Sequence, residues 1–154
     1  MNLIDQYKEM HKDENLYAGS ATTLHKESIR QFLTVSKSKT MLDYGCGKAV
    51  QYLKENIHND YFFGIMPSLY DPGVEQFSKL PKQEFDAVIS TDVLEHIEDD
   101  VATLANIRSI LSKNGYLALT VPAFGWLWSS HDVEHRHFRR YVLKELKNKL
   151  RKNG

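Results

Sequence analysis

Cysteine is almost absent from this chain: Cys46 is the only one among 154 residues. A single cysteine excludes a disulfide within the chain, and a lone thiol fits a reducing compartment. Long hydrophobic runs are missing too, because no stretch approaches the roughly 18 apolar residues that span a bilayer. Residues 1–9 mix charged with apolar side chains, unlike a signal peptide. These absences predict a cytoplasmic protein without a membrane partner.

The chain also lacks an excess of charge of one sign, since 20 basic residues balance 20 acidic ones. A net charge of zero gives no overall positive potential that would attract nucleic acid, which argues against a nucleic-acid partner. Hydrophobic residues make up 42% and aromatic residues 11%, which is typical of a folded protein. The length predicts one domain, with an N-terminal helical segment in residues 1–37 and a core in residues 38–154.

Short apolar runs alternate along the chain with segments of helical periodicity. The alternation predicts βαβ units, and therefore an α/β fold: a Rossmann-like three-layer sandwich around a mostly parallel sheet of roughly five strands. Ligands of such sheets bind at the carboxyl ends of the strands. Strands are predicted at residues 40–44, 61–65, 85–90 and 116–121, and helices at residues 23–34, at residues 50–55, after residue 99 and at the C-terminal end.

The helix after residue 99 has recognisable ends. Asp99 or Asp100 can cap its first turn, and Asn114–Gly115 is a typical C-terminal stop. The residues predicted for its apolar face are Val101, Leu104, Ala105 and Leu111.

The first predicted strand runs through Asp43 into a turn with Gly45 and Gly47, where glycine lets the backbone approach a ligand closely. A dinucleotide fingerprint needs a third glycine where Val50 stands, and an acid about 20 residues further on, where residues 65–67 offer none. This argues against a nicotinamide-dependent oxidoreductase. A P-loop needs Ser or Thr after its lysine, and here alanine follows Lys48.

Three segments occur in the order typical of one enzyme family. Leu42–Gly47 resembles motif I of the class I S-adenosylmethionine-dependent methyltransferases. Residues 85–97 resemble their fourth strand and the loop after it, and residues 111–122 their fifth strand. Residues 128–141 are similar to a small-molecule subgroup. The resemblance covers about residues 38–150 and implies methyl transfer from S-adenosylmethionine to an oxygen, nitrogen or carbon atom of a small or medium acceptor.

The resemblance also implies which residues hold the cofactor. The backbone at Gly45 and Gly47 would pass along its methionine part, which Asp43 would contact directly or through water. Asp92 and Val93 would line the same cavity. The full set implied in this way is Asp43, Tyr44, Gly45, Gly47, Asp71, Asp92, Val93 and Leu94.

Two departures from the family pattern concern the second and third strands. Met66 stands where the family has an acid that grips the ribose, and Asp71 is the nearest substitute, although Asp before Pro is also an ordinary turn residue. Few residues separate the second predicted strand from Phe85, so the third strand is expected to be rudimentary or absent. Phe77 and Ser78 would then flank the adenine.

The family adds two further strands after the fifth, and this sequence has none. The fifth strand is then expected to be an exposed edge. Either the chain is a truncated form, or a second copy, a partner chain or the N-terminal segment covers this edge. A non-catalytic or partner-dependent binding module of the same fold is therefore the alternative to an enzyme.

Polar residues are dense between residues 131 and 137. His131 or Asp132 is the candidate catalytic base for an acceptor hydroxyl or amine. A divalent metal at this cluster is the less favoured hypothesis, because the remainder of a metal motif is missing, and no metal is assigned. A polar loop is the simplest alternative. Two aromatic residues, Trp126 and Trp128, form either an acceptor wall or part of the core.

The sequence predicts less about two residues of the loop after residue 91. No chemical role is predicted for Glu95. His96 either supports the loop or lies beside the substrate.

Overall fold

Four strands form one parallel sheet in the part of the chain that this computed structural model describes, which is Lys8, Lys12 and residues 20–153. The strands are β1 (Met41–Tyr44), β2 (Ser68–Tyr70), β3 (Phe85–Thr91) and β4 (Leu111–Thr120). Their order is β2-β1-β3-β4, with Leu42 opposite Ser68, and Ala87 opposite both Met41 and Tyr116. The predicted α/β class and parallel sheet are confirmed, with four strands instead of five. Of the predicted N-terminal segment, Lys8, Lys12 and residues 20–37 are described, and the remainder lies outside the described residues.

Seven α-helices are described. They are α1 (Ala21–Leu24), α2 (Lys26–Ser36), α3 (Val50–Leu53), α4 (Ile57–Tyr61), α5 (Asp100–Ile110), α6 (Ser130–Glu134) and α7 (Leu143–Lys152), with 3-10 turns at Glu75–Phe77, Leu94–His96 and Gly125–Leu127. No described helix is long and apolar enough to cross a membrane.

Alternation along the strands divides the core between the two faces of the sheet. Met41 and Ile89 pack on one face with Ile29 of α2, whereas Leu42 and Val88 pack on the other. Helices α2, α3 and α4 cover the first face, and α5 covers the second. Because both faces are buried, the polar chemistry of the sheet is confined to its ends.

The strand predicted at residues 61–65 is wrong. Residues 57–61 form α4, Phe62 is fully buried after it, and β2 begins only at Ser68. A short apolar run cannot distinguish a buried helix end from a strand by periodicity. The shift places Asp71 directly after β2, so no loop is needed to carry this acid back. Residues 71–84 contain a 3-10 turn and no strand, as expected for a missing third strand.

The end predicted for the helix after residue 99 is also wrong. Asp99 caps α5 as expected, since its side chain accepts a hydrogen bond from the backbone N–H of Ala102 at 2.9 Å. The helix ends at Ile110, however, and β4 begins at once, so that Gly115 lies inside the strand. A Cβ at Gly115 would lie 2.9 Å from the backbone oxygen of Phe85 on the neighbouring strand. Gly115 therefore allows β4 to lie close to β3, and it does not stop a helix.

The predicted apolar face of α5 is wrong in three places. Val101 and Ala105 are exposed, and Leu111 lies in β4, while Leu104 is buried as expected. The residues buried along α5 are Asp100, Thr103, Leu104, Ile107 and Ile110.

A buried carboxylate anchors the C-terminal helix to the sheet. Asp100 accepts hydrogen bonds from the Tyr141 hydroxyl at 2.8 Å and from the Lys149 ammonium at 2.6 Å, and the Arg139 guanidinium lies 3.0 Å away. Burial acts to raise the pKa of Asp100, but the hydrogen bonds from Lys149 and Tyr141 outweigh it and hold the pKa below its ordinary value. The carboxylate is thus ionised and fully engaged at neutral pH.

We expect Tyr141→Phe to lower the free energy of unfolding by about 1.5 kcal/mol, because it removes a buried hydroxyl that donates to a charged group. Urea denaturation measures the change. Tyr116→Phe is the matched control, since the Tyr116 side chain is 51% exposed and the same atom is removed. Equal losses in the two variants would contradict the role given to the Tyr141 hydroxyl.

Candidate functional site

The glycine turn after β1 is tied to the end of β2. The backbone N–H groups of Gly45 and Cys46 both donate to the carbonyl of Tyr70, at 2.8 and 3.2 Å. Gly45 has a φ of +88°, and a Cβ there would lie 2.4 Å from Cγ2 of Val93. Val93 is β-branched and buried, so it cannot easily move aside. The packing of Val93 is by itself a reason for glycine at position 45, in addition to any ligand that approaches the turn.

Asp43 is fully buried at the end of β1. Its Oδ2 accepts a hydrogen bond from the Tyr52 hydroxyl at 2.7 Å, with Thr22 and Gln51 at 3.4 and 3.5 Å. Its Oδ1 has no hydrogen-bond partner among the described residues. Burial raises the pKa of Asp43 to about 6, against the hydrogen bonds from Tyr52 and Thr22. A buried carboxylate oxygen without a donor is costly, which makes it a candidate contact for a cationic ligand group.

Asp71 lies at the end of β2 and braces the glycine turn. One carboxylate oxygen accepts from the backbone N–H of Gly47 and the other from that of Gly73, both at 2.9 Å. Its own N–H donates to the carbonyl of Phe77 at 3.0 Å, which brings this aromatic residue beside the turn. Asp71 is therefore the residue directly after the second strand, where Met66 was predicted to stand.

The end of β3 supplies the third part of this site. Asp92 has a left-handed backbone with a φ of 54° and is held by Thr120, whose hydroxyl donates to its carboxylate at 2.8 Å. His25 lies 3.8 Å from the second oxygen of Asp92, and Thr22 contacts the Thr91 hydroxyl at 3.0 Å. Residues of α1 and the position after it therefore cover the carboxyl ends of β1 and β3.

The side chains of two predicted cofactor residues belong to the core. Tyr44 is 5% exposed and packs on the ring of Tyr70, and Leu94 is 1% exposed. Neither side chain is available to a ligand, so any contact would come from the backbone. Cys46 is buried as well, and burial raises the pKa of its thiol far above the ordinary value, as expected for packing.

Two clefts of the described surface lie away from these strand ends. One is lined in part by Leu104, Leu111 and Leu150, and the other by residues 36–39 with Asp86. Both adjoin the first half of β4, and neither includes a predicted cofactor residue. Asp43 is instead closed over by Thr22, Gln51 and Tyr52.

The predicted base Asp132 is the centre of a hydrogen-bond network. It is fully buried and accepts from Arg140 at 2.7 and 2.8 Å, from His137 Nδ1 at 2.9 Å and from the backbone N–H of Ser129 at 2.8 Å. The hydrogen bond from Arg140 is the largest cause that holds the pKa of Asp132 far below its usual range. A carboxylate so engaged is a poor proton acceptor, and the geometry favours a positioning role for Asp132.

His131, the second predicted base, is exposed and stacks on His135, with 4.0 Å between ring centroids. Its ring centroid lies 6.1 Å from that of His137. The two tryptophans nearby are not core: Trp126 is 79% and Trp128 44% exposed. The core alternative is therefore wrong for them, and the acceptor wall stays a prediction.

A group overlooked in the sequence lies beside this loop. Glu95 is 2% exposed, and its Oε2 has no hydrogen-bond partner among the described residues. Burial raises the pKa of Glu95 to about 8. The ring of His96 lies edge-on to that of His137, with 4.7 Å between centroids. Glu95 and His96 follow β3 and His137 follows β4, so their closeness depends on strand order, which one sequence does not reveal.

Comparison with known proteins places the chain in a family. A methyltransferase domain family matches residues 17–154. The chain therefore belongs to this methyltransferase family, and the predicted class I S-adenosylmethionine-dependent methyltransferase, with S-adenosylmethionine as its cofactor, is confirmed. No curated protein matches the chain by sequence.

Two solved structures share the fold at low sequence identity. A methyltransferase in complex with the Haloferax volcanii Trm112 methyltransferase activator has a TM-score of 0.53 and 15% identity, over 94% of this chain and 75% of that one. Phosphoethanolamine N-methyltransferase 2 of Haemonchus contortus, solved with S-adenosyl-L-methionine, has a TM-score of 0.55 and 15% identity. That match covers 96% of this chain and 44% of the Haemonchus enzyme.

We expect Gly45→Ala to lower the free energy of unfolding by about 2 to 4 kcal/mol, because it adds a clash with Val93 to an unfavourable φ. Gly64→Ala is the matched control: its φ is +78°, but nothing lies within 4 Å of the added Cβ, so only about 1 kcal/mol should be lost. Thermal and urea denaturation measure both. A loss at Gly45 no larger than at Gly64 would refute the contact with Val93.

Proposed function

We propose that this chain transfers the methyl group of S-adenosylmethionine to an oxygen, nitrogen or carbon atom of a small or medium molecule, at the carboxyl ends of β1, β2 and β3. The observation that carries the proposal is the buried Oδ1 of Asp43, which has no partner among the described residues and lies beside the glycine turn. The cofactor carries an ammonium group in its methionine part, which would satisfy this oxygen.

The residues around Asp43 fit the rest of the cofactor. Gly45 and Gly47 leave the turn without side chains. Asp71 at the end of β2 is placed to accept hydrogen bonds from the ribose hydroxyls, and Phe77 beside it offers an apolar surface for the adenine. When bound, the cofactor supplies an activated methyl group, so the protein has mainly to align the acceptor with it.

The acceptor side of the site is proposed at the loop after β4. His131 is the exposed group that would take a proton from an acceptor hydroxyl or amine, and Asp132 would hold the loop in place through Arg140 and His137. Trp126 and Trp128 would form an apolar wall around a small-molecule acceptor.

A partner-dependent role is the second candidate, and the edge of the sheet favours it. Strand β4 is the edge of the described sheet, and Phe124, Trp126 and Leu127 after it are 47%, 79% and 43% exposed. An unpaired strand beside exposed aromatic residues is a surface that a second copy or a partner chain can cover. The Haloferax neighbour was solved with an activator protein, which makes an activating partner worth testing.

Calorimetric titration with S-adenosylhomocysteine tests the cofactor site. We expect the wild type to bind and Asp43→Asn to lose at least about tenfold in affinity, because the variant has no charge for the ammonium group. The affinity of the wild type should rise by up to about tenfold from pH 5 to pH 7. The pKa of Asp43 in the free protein is about 6, and its ionised form is the one that attracts a cation.

The pH dependence should disappear in Asp43→Asn. Asp86→Asn is the matched control, because Asp86 is only partly buried and lies at the amino ends of the strands. Absence of binding by a well-folded wild type at every pH would leave the partner-dependent role, and the titration would be repeated with a purified candidate activator.

A further inference from the structure

Three side chains outside the proposed cofactor contacts converge at one point. Glu95 and His96 lie in the turn after β3, and His137 lies between α6 and α7. One carboxylate oxygen and two imidazole nitrogens from these residues lie within 4.8 Å of one another. We propose that Glu95, His96 and His137 bind one divalent transition-metal ion.

The unpartnered oxygen of Glu95 is an independent observation that points to a ligand. This side chain is 2% exposed, and its Oε2 accepts no hydrogen bond from any described residue. Buried polar groups are nearly always satisfied, so a buried carboxyl oxygen without a partner is unfavourable. A cation shared with the two imidazoles would satisfy this oxygen.

His137 is already oriented as a metal ligand. Its Nδ1 lies 2.9 Å from Asp132 Oδ1. An ionised carboxylate only accepts, so Nδ1 carries the proton and Nε2 keeps its lone pair. Histidines that bind metals usually donate their other ring N–H to a carboxylate in this way. Arg140 fixes Asp132 in turn, with contacts of 2.7 and 2.8 Å to its two oxygens.

His96 is buried beside His137, and the two imidazole rings lie edge-on with 4.7 Å between their centroids. Two imidazoles and one carboxylate suit zinc and its first-row neighbours better than Mg²⁺ or Ca²⁺, which prefer oxygen ligands. Three protein ligands leave at least one coordination position open.

The open coordination position would lie near the proposed cofactor site, because Glu95 is only three residues beyond Asp92 at the end of β3. An acceptor with a metal-binding oxygen, such as a hydroxyl, would be held there. Its oxygen would lose a proton to His131 or solvent and bond to the methyl carbon, while the C–S bond breaks and its electron pair stays on sulfur. This choice of acceptor rests on the proposed function, whereas the metal site does not.

Titration of the metal-free full-length protein with Zn²⁺ alone tests the site. We expect one ion per chain by calorimetry, a Zn²⁺-dependent rise in melting temperature, and visible ligand-field absorption when Co²⁺ replaces Zn²⁺. Glu95→Gln and His137→Ala should each lose at least about 100-fold in affinity, because each removes a direct ligand.

His131→Ala/His135→Ala is the matched control, since it removes two neighbouring histidines that lie outside the cluster. This double variant should bind Zn²⁺ as the wild type does. If a Glu95 or His137 variant does not fold, as judged by its circular dichroism and melting curve, His96→Ala takes its place, because it removes the third ligand.

Absence of Zn²⁺ binding by the wild type would overturn the metal site, and so would binding that only the double variant loses. The S-adenosylhomocysteine titration without metal separates the two proposals. Cofactor binding without Zn²⁺ binding would leave the methyltransferase site and remove the metal, and the reverse result would keep the metal and remove the cofactor contacts.

Discussion

The burial of both faces of a parallel sheet is the constraint on which this structure depends. Helices cover both sides of β1 and β3, so charged groups can gather only at the ends of the strands. Five buried carboxylates are described in detail, and their partners divide them into two groups. Asp71, Asp100 and Asp132 accept hydrogen bonds on the sheet's turns and loops, whereas Asp43 and Glu95 each keep one oxygen without a partner. The carboxylates of the first group are satisfied within the fold, and those of the second group carry the two ligand proposals.

Much of the fold was predictable, because the strongest signals were local. Strands β1 and β3 are apolar runs that end in polar residues, and the alternation of strands with helices indicated the parallel sheet. The prediction failed where an apolar run could form either a strand or a helix end. Residues 61–65 contain aromatic residues that favour strands. In the structure, however, Phe62 follows the last turn of α4 and packs into the core. That error alone made Asp71 seem to need a loop to reach the end of the second strand. Asp71 stands directly after the true second strand.

The acceptor side was less predictable, because its geometry depends on contacts between distant segments. The histidines of residues 131–137 were conspicuous in the sequence, but nothing local shows that Arg140 locks Asp132 or that His137 meets Glu95 and His96. Glu95 was given no chemical role from the sequence, yet it lies beside these two histidines in the structure. Only the pairing of β3 with β4 shows that residues after these two strands share one edge. The contacts of Glu95 and His96 therefore depend on a residue that follows the neighbouring strand, and a single sequence does not reveal such contacts.

The two unpartnered oxygens have a common electrostatic consequence. Burial raises the pKa of Asp43 to about 6 and that of Glu95 to about 8, so each carboxyl gains a proton more readily than in water. For an acid with a raised pKa, the favourable contribution to stability is present at low pH and is lost as the pH rises through the folded-state value. Near neutral pH the protein therefore carries unfavourable charge at Asp43, and a cation bound there relieves it. A ligand cation bound at Asp43 would therefore also stabilise the folded protein, which links the proposed cofactor binding to folding stability.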